Sequence, residues 1–354
     1  MPVSPDHQHA NGEIDIASLH AQDSTGLLAR IDRAVVWDIP LTTPFRGITR
    51  RDGVLLHGPG GWGEVAPFWD YGLEASAPWL ASGLCQALGN SLLPRYRETI
   101  SVNVTVPEIS AQDASDLVRA SGARTAKVKV SGSSDKRAAD LERLEAVRSA
   151  LGRSGKVRID VNGAWDLDTA RENLPLMDRA AGGLEYAEQP CATVYDLADL
   201  RRAVDVPIAA DESIRLSANP LEIVHRRAAD VAILKVAPLG GVHRALDMAE
   251  RLGLPAVVSS ALDTSVGIMA GATLAFSLPS LSHACGLGTT RLLTQDVADP
   301  SVRPSNGTLR LDAAAPVSER LLNEVKAGPY LTTHWQTRLL HLAGALHARR
   351  QREA

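Results

Sequence analysis

Five short apolar runs, each closed by charged residues, recur between Lys127 and Lys235. They read TAKVKV with Lys127 and Lys129, KVRIDVN with Asp160, LEYAEQP with Glu188, PIAADES with Asp211, and DVAILKV with Lys235. A segment with helix-like spacing separates each run from the next. Asp160 precedes Glu188 by 28 residues, Glu188 precedes Asp211 by 23, and Asp211 precedes Lys235 by 24, intervals that suit a βα unit. Continuous apolar runs fit parallel strands buried on both faces. With SVNVTV (101–106), PAVVSSAL (255–262) and HACGLGT (283–289), eight strand-like runs fall between 101 and 289. This α/β repeat favours a closed barrel over an open doubly wound sheet. No GxGxxG follows the first run, which weakens a dinucleotide-binding reading.

The rest of the chain frames that repeat. Its 354 residues are enough for a barrel and a second unit. A formal charge of -4 supplies no basic field, so nucleic acid is not an expected partner. Cys85, Cys191 and Cys285 are scattered without CxxC spacing, which points to a reducing compartment and away from a disulfide framework or zinc site. The opening residues lack the apolar region of a secretory signal. No apolar run nears the roughly 18 residues of a spanning helix, so the expectation is a cytoplasmic protein without a membrane partner. Residues 1–28, with His7, His9 and His20, carry no sustained periodicity and read as a mobile extension. Residues 29–100 change from β-branched runs to helical spacing, an α+β capping unit with a hairpin turn expected at Asp52-Gly53. The GPGGWGE turn lacks the lysine and the context of a phosphate loop. Residues 101–290 hold the barrel. In 291–354 the rhythm stops, and a terminal amphipathic stretch is expected to pack on the cap or the barrel exterior.

Residues i and i+2 of a strand share a face. Lys127 and Lys129 therefore point together, as do Arg158, Asp160 and Asn162. In a barrel such faces converge near the C-terminal mouth, where catalytic groups lie. Three carboxylates without Cys or His neighbours are hard oxygen donors and favour Mg²⁺. Such a metal leaves room for a substrate carboxylate and stabilises an enediolate as an α-proton departs. A lysine acts as a base once its pKa is lowered, and both a metal and a second lysine lower it; Lys129 has both. Lys235, three strands on, approaches from the opposite side. The bland readings are surface charges at loop starts, or a barrel that only binds. Three acids on successive strands, flanked by lysines, argue against both.

The order KVK, RIDVNGAW, EQP, ADES and ILKV resembles the muconate-lactonizing subgroup of the enolase superfamily, across the whole barrel. The resemblance implies a modified (β/α)7β TIM-like barrel with an α+β capping domain. It implies Asp160, Glu188 and Asp211 as ligands of Mg²⁺, with Mn²⁺ as a substitute. Lys129 becomes the acid/base, Lys127 its tuning partner and Lys235 the opposite lysine. PFRGITRRDGVLL, GPGGWGEVAPF and APWL, with VSSALDTSVGI and HACGLGT on the last two strands, resemble the o-succinylbenzoate synthases of menaquinone biosynthesis, especially the actinobacterial type. The implied substrate is a small carboxylate, 2-succinyl-6-hydroxy-2,4-cyclohexadiene-1-carboxylate, dehydrated syn to 2-succinylbenzoate. An N-acylamino acid racemase or dipeptide epimerase would use the same lysines as two bases, and a cycloisomerase would use one as an acid. The catalytic motifs leave these open.

Further positions are expected near the mouth. Arg158 either neutralises a carboxylate or locks the acids in place. Asn162 is expected beside the lysines or the metal site. Ser259, Ser260 and Asp263, where a strand meets a loop, orient substrate or cap the strand end. Gly286 and Gly288 allow a close backbone approach or relieve crowding. Phe45, Arg46 and Thr49 belong to a cap segment expected to close over the site.

Overall fold

A computed structural model of the chain describes residues 12–89, 93–310 and 316–353. The described chain begins with a short helix, α1 (Ile16–Gln22), whose first amides are capped by the Asp15 carboxylate. A mobile extension was expected as far as residue 28, yet from residue 12 onward the segment is packed. Leu19 and Leu28 are buried, Glu13 pairs with Arg33 and Lys326, and His20 Nε2 meets the Ile31 carbonyl at 3.0 Å. Three separated apolar anchors, Ile14, Leu19 and Leu28, leave no local period to read. His7 and His9 lie outside the described residues.

The cap sheet follows: β1 (Arg33–Phe45), β2 (Ile48–Gly58) and β3 (Gly61–Val65), antiparallel in that order. The β1–β2 turn falls at Arg46-Gly47, both at positive φ, 51° and 75°, as tight hairpin turns require. Asp52-Gly53, expected as a turn, lies inside β2 opposite Asp38 and Trp37. Gly53 is there for packing, because a Cβ would stand 2.8 Å from the Trp37 indole and 2.6 Å from Ala66 Cβ. Helix α2 (Leu73–Leu88) and the terminal helix (Pro329–Glu353) share an apolar core with this sheet, built from Leu80, Leu84, Trp335, Leu339 and Leu342 among others.

After a short strand β4 (Thr99–Ser101), seven parallel strands form one sheet. They are β5 (Val104–Val106), β6 (Thr125–Lys129), β7 (Lys156–Asp160), β8 (Leu184–Glu188), β9 (Ile208–Ala210), β10 (Val231–Leu234) and β11 (Ala256–Val258), paired in chain order. Helices α3 (Ala111–Ser121), α4 (Arg137–Leu151), α5 (Leu167–Ala180) and α6 (Val194–Ala203) connect the first five. Short helices α7 (Glu212–Arg215), α8 (Glu222–His225) and α9 (Val236–Leu239), then α10 (Val242–Leu252) and α11 (Ser265–Ser277), complete the set. All four residues of β10 and the first four of β6 are buried, as expected of strands covered on both faces. The eighth run closes the barrel by single bridges: Val102 pairs with Cys285 and Ser259 with Gly286, both parallel. A Cβ on Gly286 would lie 2.5 Å from Ser259 Oγ, so a larger residue would have to displace that hydroxyl. Outside the barrel, β12 (Thr308–Arg310) pairs with β4. Among the described residues no helix is long and apolar enough to cross a membrane.

Candidate active site

The register of the strands sets the row of charges at the barrel mouth. Lys129 on β6 pairs with Asp160 on β7, and Asp160 with Glu188 on β8. Asp211 follows β9 directly and Lys235 follows β10. The backbone turns away soon after the first two acids, with Asn162 and Gln189 at φ 53° and 40°. Gln189 is fully buried and fixes the next strand end. Its Oε1 accepts from the Asp211 and Ser213 amides at 2.9 and 3.1 Å, while its Nε2 donates to Ser213 Oγ and the Cys191 carbonyl. Sequence reasoning passed over Gln189, although the EQP motif contains it.

The two β6 lysines have different partners. Lys127 Nζ donates to Asp160 Oδ2 at 2.8 Å and Glu188 Oε1 at 3.0 Å. Burial alone would lower its pKa, but Asp160 and Glu188 outweigh that and hold it well above the usual lysine range. Lys129 Nζ donates to Asp160 Oδ2 and Asn162 Oδ1, both at 2.6 Å. Burial, helped by the Lys127 charge and opposed by Asp160, brings its pKa down. Across the mouth, Lys235 Nζ donates to Asp211 Oδ2 at 2.5 Å and Arg215 Nε to Asp211 Oδ1 at 2.9 Å.

The acids answer these cations. Burial pushes Asp160 upward, but Lys127 and Lys129 overcome it and hold the carboxyl well below its ordinary value. Arg215 and Lys235 likewise overcome burial at Asp211, which falls to about 2. Glu188 is undercompensated: burial and Asp160 push it up to about 7.

Among the described residues no three carboxylate, imidazole or thiol groups close on a common point; lysines stand between the acids instead. The donor set nevertheless fits a hard divalent cation. Asp160, Glu188 and Asp211 offer only oxygen, lie on consecutive strand ends, and are at most 1% exposed. The Lys127 ammonium already occupies a cation position between two of them, and Glu188 remains short of positive charge.

One cavity at the mouth gathers much of what the sequence marked. Lys127, Lys129, Asp160, Asn162 and Lys235 line it from the strand ends, Ser259, Ser260 and Gly286 from the barrel seam, and Phe45 and Arg46 from the cap. The Lys129 ammonium lies 5.4 Å from the Phe45 ring centroid. Glu188 and Asp211 are not among the lining residues; their partners are the Lys127, Lys235 and Arg215 side chains. Ser260 Oγ is engaged with the Gly286 carbonyl and Thr289 Oγ1.

Other candidates fall elsewhere. Arg158 is fully buried and bonds Glu185, Asn103 and the Ala284 carbonyl. It does not bond Asp160, Glu188 or Asp211, so its partner is a carboxylate that the sequence reading did not mark. Thr49 is exposed and lines no part of the cavity. Gly288 borders a separate apolar cavity beside β5. Asp263 borders a smaller void shared with Glu64 and Lys235. Tyr71, Phe68, Trp79 and Arg215 line the site without having been foreseen. Arg215 alone carried a local signal, four residues after Asp211, on the same face of a helical turn.

Residues 36–87 match the enolase N-terminal domain-like family, and residues 110–316 match the enolase C-terminal domain-like family. The chain is 52% identical over 305 residues to the o-succinylbenzoate synthase of Thermobifida fusca, covering 85% of this chain and 93% of the relative. It is 47% identical over 310 residues to that of Mycobacterium ulcerans, covering 87% and 93%. In fold it is similar to the muconate lactonizing enzyme of Pseudomonas fluorescens complexed with muconolactone. That TM-score is 0.70 at 23% identity, over 83% of this chain and 97% of the other. It is also similar to the L-Ala-D/L-Glu epimerase of Bacillus subtilis, with a TM-score of 0.67 at 25% identity, over 81% and 98%.

Proposed function

The chain belongs to the enolase superfamily, among the o-succinylbenzoate synthases, and on that premise we propose that it dehydrates 2-succinyl-6-hydroxy-2,4-cyclohexadiene-1-carboxylate to 2-succinylbenzoate. The observation that carries the chemistry is the convergence of Lys129, Asp160 and Lys235 on one cavity beneath Phe45 and Arg46. The names of relatives at 47–52% identity support the substrate.

Lys129 is the acid/base. Its lowered pKa makes the neutral amine accessible. In that form it takes the proton from the ring carbon bearing the carboxylate. It then returns that proton to the hydroxide leaving the adjacent carbon on the same face. One C–H and one C–O bond break, water departs, and the ring becomes aromatic. Lys127, held charged by Asp160 and Glu188, lowers the proton affinity of Lys129. Lys235, on the other side and bonded to Asp211, stabilises negative charge without transferring a proton. Asp160, Glu188 and Asp211 would hold Mg²⁺, or Mn²⁺ in its place. When bound, such a cation supplies positive charge against the charge that builds on the substrate carboxylate. Asn162 orients Lys129 through the 2.6 Å bond.

A second reading rests on Lys235 lining the same cavity: two lysines on opposite sides would suit racemisation of an N-acylamino acid. Purified protein supplied with Mg²⁺ is expected to aromatise the cyclohexadiene, followed as a change in ultraviolet absorbance. Folded, metal-replete protein that leaves the substrate unchanged overturns the synthase reading. Deuterium at Cα of both enantiomers of an N-succinylamino acid in D₂O establishes the second.

A further inference from the structure

Tyr71, between β3 and α2, has an unusual set of partners. Its phenolic oxygen accepts from Arg46 Nη1 at 3.0 Å and from Arg215 Nη1 at 2.8 Å. Arg46 comes from the tip of the cap hairpin and Arg215 from the helical turn behind Asp211. The Arg215 side chain is only 4% exposed, and its other nitrogens are committed to Asp211 and Glu212. A phenol oxygen has two lone pairs to offer and one proton to give. Guanidinium donors take both lone pairs, so the O–H is left to donate. No bond donated by it is made among the described residues, and Tyr71 lines the cavity that also holds Lys129, Asp160 and Lys235. The two guanidinium carbons lie 5.5 and 5.6 Å from the ring centroid. Their charge polarises the O–H and strengthens it toward an anionic acceptor.

The lysines of the cavity are all engaged with acids at the strand ends. Arg46 and Arg215 are the remaining cations of its lining, and both converge on Tyr71. We propose that Tyr71, backed by Arg215 and flanked by Arg46, is the subsite for a second carboxylate of the substrate. Its hydroxyl donates to the carboxylate that ends the succinyl chain. This rests on the synthase reading, in which the substrate carries one carboxylate on the ring and another on the tail. The ring carboxylate goes to the acid-and-lysine row, and the tail reaches the cap side of the cavity. Arg46 Nη2, 3.6 Å from Asp70 Oδ2, is too loosely held there to be unavailable to the tail.

The test compares two ligands on two full-length proteins in Mg²⁺ buffer. 2-Succinylbenzoate and its tail methyl ester are titrated calorimetrically into wild type and Tyr71→Phe. The ring that packs against both arginines is kept in the variant, and only the hydroxyl is lost. Wild type is expected to bind the diacid about 10-fold to 100-fold more tightly than the ester, as a charge-assisted bond implies. Tyr71→Phe is expected to weaken the diacid about tenfold while leaving the ester within about twofold. For the cyclohexadiene substrate, the loss appears in KM more than in kcat. Equal weakening of both ligands, no weakening of either, or no binding of the diacid by wild type overturns the subsite. Turnover by wild type judges the synthase reading separately, since the ratio of the two affinities does not depend on it.

Discussion

A lysine surrounded by carboxylates is normally a poor base, and the difference between Lys127 and Lys129 is one of partners. Lys127 bridges two acids and stays charged; Lys129 shares Asp160 with it and otherwise meets a neutral amide. Replacing Lys129 by Ala should therefore lower kcat by about 10²-fold to 10⁴-fold, with the circular dichroism spectrum unchanged. Lys129→Arg should be equally inactive, because a guanidinium keeps the charge but does not give up its proton. Substantial turnover by the arginine variant would show that the proton goes elsewhere. The strand alternation told us that both lysines point to the mouth, but it could not rank them. The ranking depends on Glu188 and Asn162, which are 61 and 33 residues away from their lysines. Arg158 shows the same limit: its face was readable, while its partner Glu185 became visible only with β8 alongside.

At the level of elements, the cap adds Phe45, Arg46, Phe68, Tyr71 and Trp79 to a site lined mostly by the barrel. The terminal helix holds the segment leading to Tyr71: Arg338 donates to the Pro67 carbonyl at 3.1 Å and the Phe68 carbonyl at 2.7 Å. Trp335 Nε1 donates to Asp52 Oδ2 at 2.7 Å. Leu339, one residue beyond Arg338, is fully buried in the cap core. Leu339→Ala should destabilise the protein by about 2–5 kcal/mol through lost burial and a cavity, seen as a lower denaturant midpoint. A loss below about 1 kcal/mol would mean that the helix contributes little to the cap. The barrel was legible because its units repeat one local pattern, an apolar run that in five of the eight carries an acid or lysine at its end. The cap has no repeat. Asp52-Gly53 looks like a turn, and only the packing of Trp37 against Gly53 explains why it is strand. Ile14, Leu19 and Leu28 bind the segment from residue 12 onward to the same core, a long-range effect invisible to periodicity.

Across the whole molecule, compensation of charge governs how the protein should respond to its solvent. Asp160, Glu188 and Asp211, the proposed metal ligands, already have lysine and arginine partners, so chelation is expected to abolish activity reversibly without unfolding the chain. Mg²⁺ at 100 times its dissociation constant should add about 2.7 kcal/mol; loss of the far-ultraviolet circular dichroism signal on chelation would refute this. The cap–barrel joint behaves differently. Glu64 on β3 accepts from the Thr264 amide at 3.2 Å, the Thr264 hydroxyl and the Gly267 amide at 3.1 Å, so a cap residue closes the start of barrel helix α11. Burial first, then the Asp263 charge, pushes Glu64 up to about 8, against the pull of Thr264 and Arg51. Burial raises Asp263 as well, opposed by the Ala261 amide, Arg51 and Lys235. The folded protein therefore keeps a proton on this pair that the unfolded chain releases near its ordinary value of 4.5. Between that pH and about 8 the folded state binds more protons, so stability falls as pH rises, by up to about 1.4 kcal/mol per pH unit from one group. The contribution is fully present below the unfolded value and is gone above the folded one. Glu64→Gln cannot release this proton, so its denaturant midpoint should fall less than that of wild type between pH 5.5 and 7.5. Parallel midpoints across that interval would mean that Glu64 is already ionised in the folded joint, and that Arg51 with the Thr264 and Gly267 donors carries the compensation without a shared proton.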